Sequence, residues 1–453
     1  MKKKKRWRFS STHIILVSFL AAILLGSVLL SLPISAKDGQ AVPYIDALFT
    51  ATTSTCVTGL VTLPTVSTWS VFGQVVILLL IQVGGLGVIT VISGFMLALN
   101  RKMGIRGSLL IGDAFNLNSL SGLSAFVKKV ILGTLLIEGL GAVLYMTVFI
   151  PSFGAKGIWI SVFNAVSAFC NAGIDIIAEN SLCNYATHPL VNAVTSLLVI
   201  LGGLGYIVWW DILRVMKKFK KQGIKCFRGL TLHSKIVLTS TLVLLVGGTV
   251  VILALEYNNP LTLKELSWFD KIQVSFFQSV TTRTAGFATL PQENLTDASA
   301  LFCLLLMFIG GSPVGTAGGI KTVTVLALMA TAVSTIRNRD EVTMFHRCLP
   351  KQVTRKAVAV TGMSFLIMFL SAILLSVATD ADTLDVLYET VSATATVGLT
   401  RNLTPLLNTA GKIIMIFTMY FGRIGPISLA FAFGAKKEIV NSIKNPTEEI
   451  SVG

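Results

Sequence analysis

The sequence is poor in charge. Asp, Glu, Lys and Arg make up 13% of its 453 residues, whereas hydrophobic residues make up 53%. A soluble globular domain carries a charged fraction of about 25%, so this composition excludes that class. Several apolar runs reach the roughly 20 residues that a helix needs to cross a bilayer, among them 14–32, 71–99 and 130–150. We therefore predict an integral membrane protein built from helices, with the lipid bilayer as its surroundings.

Residue sets for covalent or metal chemistry are also missing. The six cysteines form no CxxC pair, and no paired carboxylates or Ser/His/Asp set can be recognised. The stretch GGIKT at 318–322 differs from a nucleotide-binding P-loop, because Ile320 separates its glycines from the lysine. These absences argue against the alternative of a membrane-embedded enzyme or scaffold, and we predict that the chain is not an enzyme.

The net charge of +16 is unevenly distributed. Basic clusters lie at 2–8, 101–129, 214–235 and 337–356, and the segments between them carry acidic residues. The positive-inside bias places the basic linkers and both termini in the cytoplasm, and it makes nucleic-acid binding a poor explanation of the charge. The start of the chain also fits a cleaved signal peptide. The repeat described next requires the run 14–32 as a membrane helix instead.

Four short glycine motifs recur through the chain: TCVTGL, FCNAGI, TRTAGF and TATVGLT. Their glycines are separated by 114, 113 and 112 residues, and an aromatic residue stands ten positions before each one. Ordinary turn glycines are the simplest explanation of any single motif, but the near-constant spacing favours a fourfold repeat. The glycines are Gly59, Gly173, Gly286 and Gly398, and the aromatics are Phe49, Phe163, Phe276 and Tyr388.

Each repeat consists of an apolar run, a shorter semi-polar run, the glycine motif and a second apolar run. The semi-polar run is too short to span the membrane and must enter and leave from outside, which is tolerated only where it is buried in protein or lines water. The predicted fold class is an all-α integral membrane protein with four parallel M1-P-M2 repeats, giving eight transmembrane helices and four re-entrant pore helices around a central pore. The predicted boundaries are 1–100, 101–216, 217–336, 337–435 and a cytoplasmic tail 436–453.

The glycine motifs are suited to cation coordination. Rings of main-chain carbonyl oxygens replace the hydration shell of potassium in selective pores, and glycine adopts the required unusual φ angles without a side-chain clash. We predict that K⁺ binds to the carbonyls of a filter made of three residues from each motif. These are Val57, Thr58, Gly59, Asn171, Ala172, Gly173, Thr284, Ala285, Gly286, Thr396, Val397 and Gly398.

A second set of glycines lies within the later apolar run of each repeat, at 84–87, 202–205, 310–311 and 422–425, and it predicts close helix packing or a kink. In the third repeat, GGSPVGTAGGIKT at 310–322 cannot continue as a stable helix, so we predict an intramembrane loop that serves as a gate. The candidate gate residues are Gly311, Ser312, Gly315, Gly318, Gly319, Lys321 and Arg423.

Three charged residues in apolar surroundings need an explanation. A charge at the depth of Arg423 is costly, which favours a role in function over a side chain that snorkels. Facing the pathway, Arg423 would raise the barrier for cations and could bind carbonyls of the loop. We expect Arg283 to brace the filter from behind, and Glu138 to be paired structurally.

With these motifs in place, the sequence resembles the superfamily of potassium transporters that includes the Trk, Ktr and plant HKT proteins. The resemblance covers nearly the whole chain and rests on the four glycine turns, the loop 310–322 and Arg423 in FGRIGP. Trk subunits carry two extra helices before the first repeat, whereas only about a dozen residues precede Ile14 here. The chain is thus more similar to the bacterial Ktr membrane subunit, of KtrB or KtrD type.

The resemblance implies potassium uptake across the bacterial cytoplasmic membrane by a homodimer with one pore per subunit. It also implies a cytoplasmic ring of nucleotide-binding regulatory subunits, of KtrA or KtrC type, which would bind ATP or ADP in place of this chain. Sodium is implied as a stimulator, and a glycine at position 59 is typical of members that favour potassium. A stoichiometric Na⁺/K⁺ or H⁺/K⁺ symporter is the alternative.

Overall fold

The computed structural model describes residues 11–88, 90–93, 123–219 and 223–425. The basic cluster 2–8, most of the basic linker 101–129 and the tail 436–453 lie outside the described residues. The described chain is mostly helical, as predicted. It also contains one feature that was not expected, a two-stranded antiparallel hairpin of β1 (Thr343–Met344) and β2 (Arg347–Cys348).

The described α-helices are numbered in chain order. They are α1 (Ser11–Leu30), α2 (Tyr44–Cys56), α3 (Thr65–Thr68), α4 (Val71–Leu86), α5 (Leu123–Phe153), α6 (Lys156–Cys170), α7 (Pro189–Leu204), α8 (Tyr206–Met216), α9 (Leu232–Glu256), α10 (Trp268–Thr281), α11 (Asp297–Phe308), α12 (Thr322–Ile336), α13 (Lys351–Ala378), α14 (Thr383–Ala395) and α15 (Thr409–Ile424). Short 3-10 turns occupy Pro33–Ser35, Cys183–Tyr185, Gly223–Gly229, Gln292–Asn294 and Thr404–Leu406.

One order of elements recurs four times: a long helix, a short helix, a turn with a glycine, and an apolar helix. We call each recurrence a unit, with α1–α4, α5–α8, α9–α12 and α13–α15 as units one to four. The short helices α2, α6, α10 and α14 have 13, 15, 14 and 13 residues. At 1.5 Å per residue they are about 20 Å long, which is less than the roughly 30 Å of a hydrocarbon core.

Within the described residues, four helices are long and apolar enough to cross a membrane, namely α1, α5, α9 and α13. A fifth span results if α7 and α8, which meet at 96°, are taken together. The later apolar run of each unit is thus not the single long helix that run lengths such as 71–99 suggest. Glycines with positive φ end α4, α7 and α15, at Gly87 (83°), Gly205 (86°) and Gly425 (86°), and residues 309–321 separate α11 from α12.

Helix α5 shows how the long helices are oriented. Its buried residues recur every three or four positions and form one stripe, which includes Val130, Thr134, Glu138 and Tyr145. The opposite side exposes leucines, such as Leu136, to the surface that a bilayer would cover. This pattern is typical of a helix that packs on protein along one stripe and faces lipid elsewhere.

The predicted close packing of the second glycine set is present in three units. Gly84, Gly202 and Gly422 lie against main-chain oxygens at the ends of the short helices. In each case that oxygen belongs to the residue four positions before a motif glycine. A Cβ on these glycines would lie 2.0 Å from the oxygen of Thr55, 2.0 Å from that of Phe169 and 2.3 Å from that of Thr394, respectively.

This packing makes Gly84 sensitive to substitution. Because the added Cβ of Gly84→Ala would collide with the backbone of α2, we expect the free energy of unfolding to fall by about 1–3 kcal/mol. Gly139→Ala is the matched control, since a Cβ there meets no atom within 4 Å. Thermal unfolding of both variants in detergent tests this expectation, and equal midpoints for the two variants would contradict it.

Candidate functional site

The short helices end in turns of closely similar geometry. In units one, two and four the first residue after the helix is left-handed, with φ of 55°, 58° and 50° at Val57, Asn171 and Thr396. The following N–H donates to a carbonyl five residues earlier at 2.8 Å in all three. In unit three the residue after the helix is right-handed, but Thr284 restores φ of 64° at the same distance from the motif glycine.

The four motif glycines meet in a closed ring. All have positive φ, at 97°, 63°, 82° and 97° in chain order. Each glycine packs against the carbonyl oxygen of the residue that precedes the next glycine in the ring. A Cβ would lie 2.5 Å from the Ala172 oxygen if placed on Gly59, 2.6 Å from that of Ala285 on Gly173, 2.5 Å from that of Val397 on Gly286, and 2.3 Å from that of Thr58 on Gly398. The structure therefore brings together the motif glycines and the residues before them.

The carbonyl oxygens in this ring are unusual for buried backbone. Most buried carbonyls in proteins accept a hydrogen bond. In the described part of the chain, no hydrogen bond reaches the main-chain oxygens of the two residues before each motif glycine. Eight oxygens are thus free to bind a cation, and they belong to Val57, Thr58, Asn171, Ala172, Thr284, Ala285, Thr396 and Val397.

Hydroxyl groups hold the turns from behind. The Gly59 N–H donates to Thr53 Oγ1 at 3.0 Å, and the Gly398 N–H donates to Ser392 Oγ at 3.0 Å. Ser167 bonds both main-chain groups of Ile174, and Thr281 donates to the Phe287 oxygen at 2.6 Å. Sequence reasoning missed these residues, although a hydroxyl stands five or six positions before every motif glycine.

Residues 309–321 form a loop that is joined to the end of α7. The kink at Gly205 leaves carbonyls at the C-terminus of α7 without helical partners. The loop supplies them: Ser312 N donates to Gly203 O at 2.9 Å, and Thr316 N donates to Gly202 O at 3.1 Å. In return, the Tyr206 N–H donates to Val314 O at 3.0 Å. The predicted intramembrane loop is thus buried in protein.

The same loop contacts three of the four turns. The Thr316 hydroxyl lies 3.0 Å from Phe169 O and 2.9 Å from Asn171 Oδ1 in the second turn. Gly318 N donates to Thr284 Oγ1 of the third turn at 3.0 Å. A Cβ on Gly318 would lie 1.8 Å from Thr396 Oγ1 of the fourth turn. Glycine is required at 318 because the loop passes directly beneath these residues.

Arg423 joins the loop to the first unit. Its Nη1 donates to Thr316 O at 2.7 Å, and its Nη2 donates to Gly84 O at 2.6 Å. Among the described residues no carboxylate pairs with it. Lys321 likewise donates to main-chain oxygens of the loop, at 2.5 Å to Ala317 and 3.3 Å to Gly318. The Arg423 guanidinium is thus held by main-chain carbonyls of the loop and of α4. This position contradicts the alternative in which the side chain snorkels.

A cavity of about 450 Å³ borders the loop and the end of α14. Its lining includes residues 313–315 and 317–321 of the loop, Thr394, Arg423 and the end of α4. Arg423 and Lys321 are the charged groups among the described lining residues, so this space carries positive charge.

The other two predicted charged residues are both buried. Arg283 is 7% exposed, and its Nε has no hydrogen-bond partner in the described structure. Its bracing role stays a prediction. Glu138 is 4% exposed and contacts Gln82 and Cys170, so its described partners are neutral.

The hydroxyl contacts allow a direct test with neighbouring residues on α2. Thr53→Val leaves the buried Gly59 N–H without an acceptor, which costs about 1–3 kcal/mol. Thr52→Val is the matched control, because its hydroxyl donates only to Leu48 O within its own helix. We expect a lower unfolding midpoint for the Thr53 variant than for the Thr52 variant. A Thr52 variant that is equally or less stable would count against the role of Thr53.

Comparison with known proteins agrees with these features. A family model described as "TrkH: Cation transport protein" matches residues 2–442. "Ktr system potassium uptake protein B" of Bacillus subtilis is 38% identical over 99% of this chain and 98% of its own length. "Potassium/sodium uptake protein NtpJ" of Enterococcus hirae is 36% identical over all of this chain and 99% of its own length.

The comparison with solved structures shows a similar fold at lower identity. The crystal structure of the potassium transporter TrkH from Vibrio parahaemolyticus has a TM-score of 0.74 and 15% identity, over 96% of this chain and 86% of that one. The Ktr system relatives confirm the resemblance that the motifs suggested. Because the matched family and these relatives are transport proteins, the prediction that the chain is not an enzyme is also confirmed. The chain belongs to the TrkH family of cation transport proteins.

Proposed function

We propose that the protein is a potassium-selective uptake pathway in the bacterial cytoplasmic membrane. The observation that carries this proposal is the ring of four glycine turns, with eight buried main-chain oxygens that accept no hydrogen bond in the described structure. The relatives are consistent with it, since one is named for potassium uptake and another for potassium and sodium uptake.

The chemistry is replacement of a hydration shell. A potassium ion that enters the ring exchanges water for carbonyl oxygens of the filter, among them the eight free oxygens described above, and a smaller ion is held less well if the ring cannot contract around it. The glycines resist contraction because they already lie against neighbouring oxygens. The membrane potential supplies about 2.3 kcal/mol per charge per 100 mV, so uptake requires no covalent step.

The four units are proposed to be parallel M1-P-M2 repeats around this pathway, with repeat boundaries near residues 100, 216 and 336 and with both termini in the cytoplasm. The short helices then act as pore helices that enter from outside. The basic linkers are consistent with this orientation. The protein is proposed to form a homodimer with one pathway per subunit.

Regulation is proposed to act through the loop 309–321. In the described conformation the loop lies beneath the turns, and Arg423 and Lys321 place positive charge there. A cytoplasmic nucleotide-binding ring of KtrA or KtrC type would move the loop, with sodium as a possible stimulator. The names of the Ktr system relatives support a multi-subunit assembly, and the name of the Enterococcus relative includes sodium.

Uptake is tested by expression of the protein in a potassium-uptake-deficient bacterium. Expression should restore growth at low potassium, more strongly with a ring subunit.

Selectivity is tested through Gly59. Gly59→Ser places a side chain among the ring oxygens, and we expect the preference for K⁺ over Na⁺ to fall roughly tenfold, or by about 1.4 kcal/mol. Unchanged preference in flux assays would refute the filter role. Flux that does not reverse with the potassium gradient alone would favour a coupled symporter.

The gate is tested through Arg423. Arg423→Ala removes two charge-assisted hydrogen bonds, each worth about 1.5–3 kcal/mol, so the loop should leave its position more often. We expect at least about a tenfold rise in potassium flux without the ring subunit, and a similar rise on shortening 315–319. Arg401→Ala is the control, because that arginine bonds Asp385 and Gln292 away from the loop. Flux at or below wild type, at equal expression, would contradict the gate.

A further inference from the structure

We propose that Glu138 is a positioning residue for the second glycine turn, and that it contributes to cation preference through Cys170. This inference rests on the proposed filter function and assigns a further residue to it.

Glu138 lies at the middle of α5, fifteen residues from either end of the helix. It belongs to the buried stripe of that helix and is 4% exposed. A carboxyl group at the centre of a membrane-spanning helix is costly and is retained where it has a function or a partner. The salt bridges among the described residues do not include Glu138, so no ion pair there accounts for it.

Its contacts point towards the filter. Gln82 Nε2 of α4 donates to Glu138 Oε2 at 3.2 Å. The Cys170 thiol lies 3.8 Å from Glu138 Oε1 and 3.5 Å from Gln82 Oε1. The three side chains form a closed polar cluster that joins α5 of unit two, α4 of unit one and the end of α6.

Cys170 connects this cluster to the turn. It is the last residue of α6, and the next residue, Asn171, is left-handed and carries a free carbonyl of the ring. The thiol is tightly packed, because a Cβ on Gly85 would lie 2.6 Å from Cys170 Sγ. Asn171 is held in turn by Thr316 of the loop at 2.9 Å. Glu138 and the loop therefore hold two adjacent residues of one turn.

At the position of Cys170, three before the motif glycine, the first turn also has a cysteine, Cys56, whereas the third and fourth turns have Arg283 and Ala395. Within the described structure, no carboxylate bonds to any of these three. Glu389 of α14 is buried, but it bonds Thr400 and Thr404, which follow the fourth turn. In the described part of the chain, support by a carboxyl group at this position is thus confined to the second turn. Its loss should displace that turn more than the other three.

The test uses the full chain in vesicles with measured K⁺ and Na⁺ fluxes. Glu138→Leu removes both acceptors, and we expect the K⁺/Na⁺ flux ratio to fall by roughly five- to tenfold, within the range of coupling between contacting residues. Cys170→Ala should lower the ratio too. The double variant should be no worse than the stronger single one, because both act through the same contact. Glu138→Gln retains polar contacts and should keep most of the preference.

Tyr145→Phe is the matched control on α5, since it removes a buried hydrogen bond to Thr195 of α7 and leaves the contacts among Glu138, Gln82 and Cys170 intact. It should lower stability without altering the ratio. A wild-type ratio in Glu138→Leu, or equal loss of both fluxes, would overturn the inference. If that variant does not fold, Cys170→Ala and Gln82→Leu decide the question by the same measure. Absence of K⁺ flux in the unaltered protein would instead defeat the proposed function.

Discussion

The contact between the four glycine turns is the constraint on which the rest of the structure depends. Main-chain oxygens can surround one ion only if four backbones approach within van der Waals distance, and the ring leaves no space for a Cβ at any of the four positions. Side chains therefore cannot fix the turns from within. The turns are fixed from behind instead, by hydroxyls such as Thr53 and Ser392 and by left-handed helix caps. The glycines at 84, 202 and 422 allow α4, α7 and α15 to pack closely against the same backbone from outside.

The loop follows from a second constraint, that irregular backbone inside a membrane needs partners within the protein. The kink at Gly205 exposes carbonyls of α7, and the interruption after Phe308 exposes N–H groups of the loop; each set satisfies the other. Single hydrogen bonds of this kind contribute only about 1 kcal/mol net. A segment held by several such bonds and by Arg423 is stable in place, yet it can be released when a few of the bonds are lost. This makes the loop a suitable element for a gate.

The sequence was sufficient to predict that the motif glycines recur, that a short helix precedes each of them, and that a loop interrupts the third unit, because period, run length and glycine content each have a direct physical meaning. It was insufficient for details that depend on neighbours. The second glycine set predicted close packing or a kink, but the sequence did not show that α4 and α15 end at Gly87 and Gly425, because glycines in an apolar run are also compatible with a continuous helix. Thr53 and Ser392 could not be separated from the many other hydroxyls of the chain. The expected contact of Arg423 with a carbonyl of the loop is present at Thr316, whereas its second partner, the main-chain oxygen of Gly84 in α4, leaves no trace in the sequence.

Building the ring from one chain allows each turn to be different. The loop comes from the third unit, is clamped by Gly202 and Gly203 of the second, and is tied by Arg423 of the fourth to Gly84 of the first. In a ring of four identical subunits, four loops would compete for the space beneath the turns, and four arginines would surround the pathway. A single chain can place one loop, one arginine and one buried carboxyl, so near-symmetry at the glycines coexists with specialised support behind them. The asymmetry thus fits the proposed gating of a fourfold oxygen ring from one side.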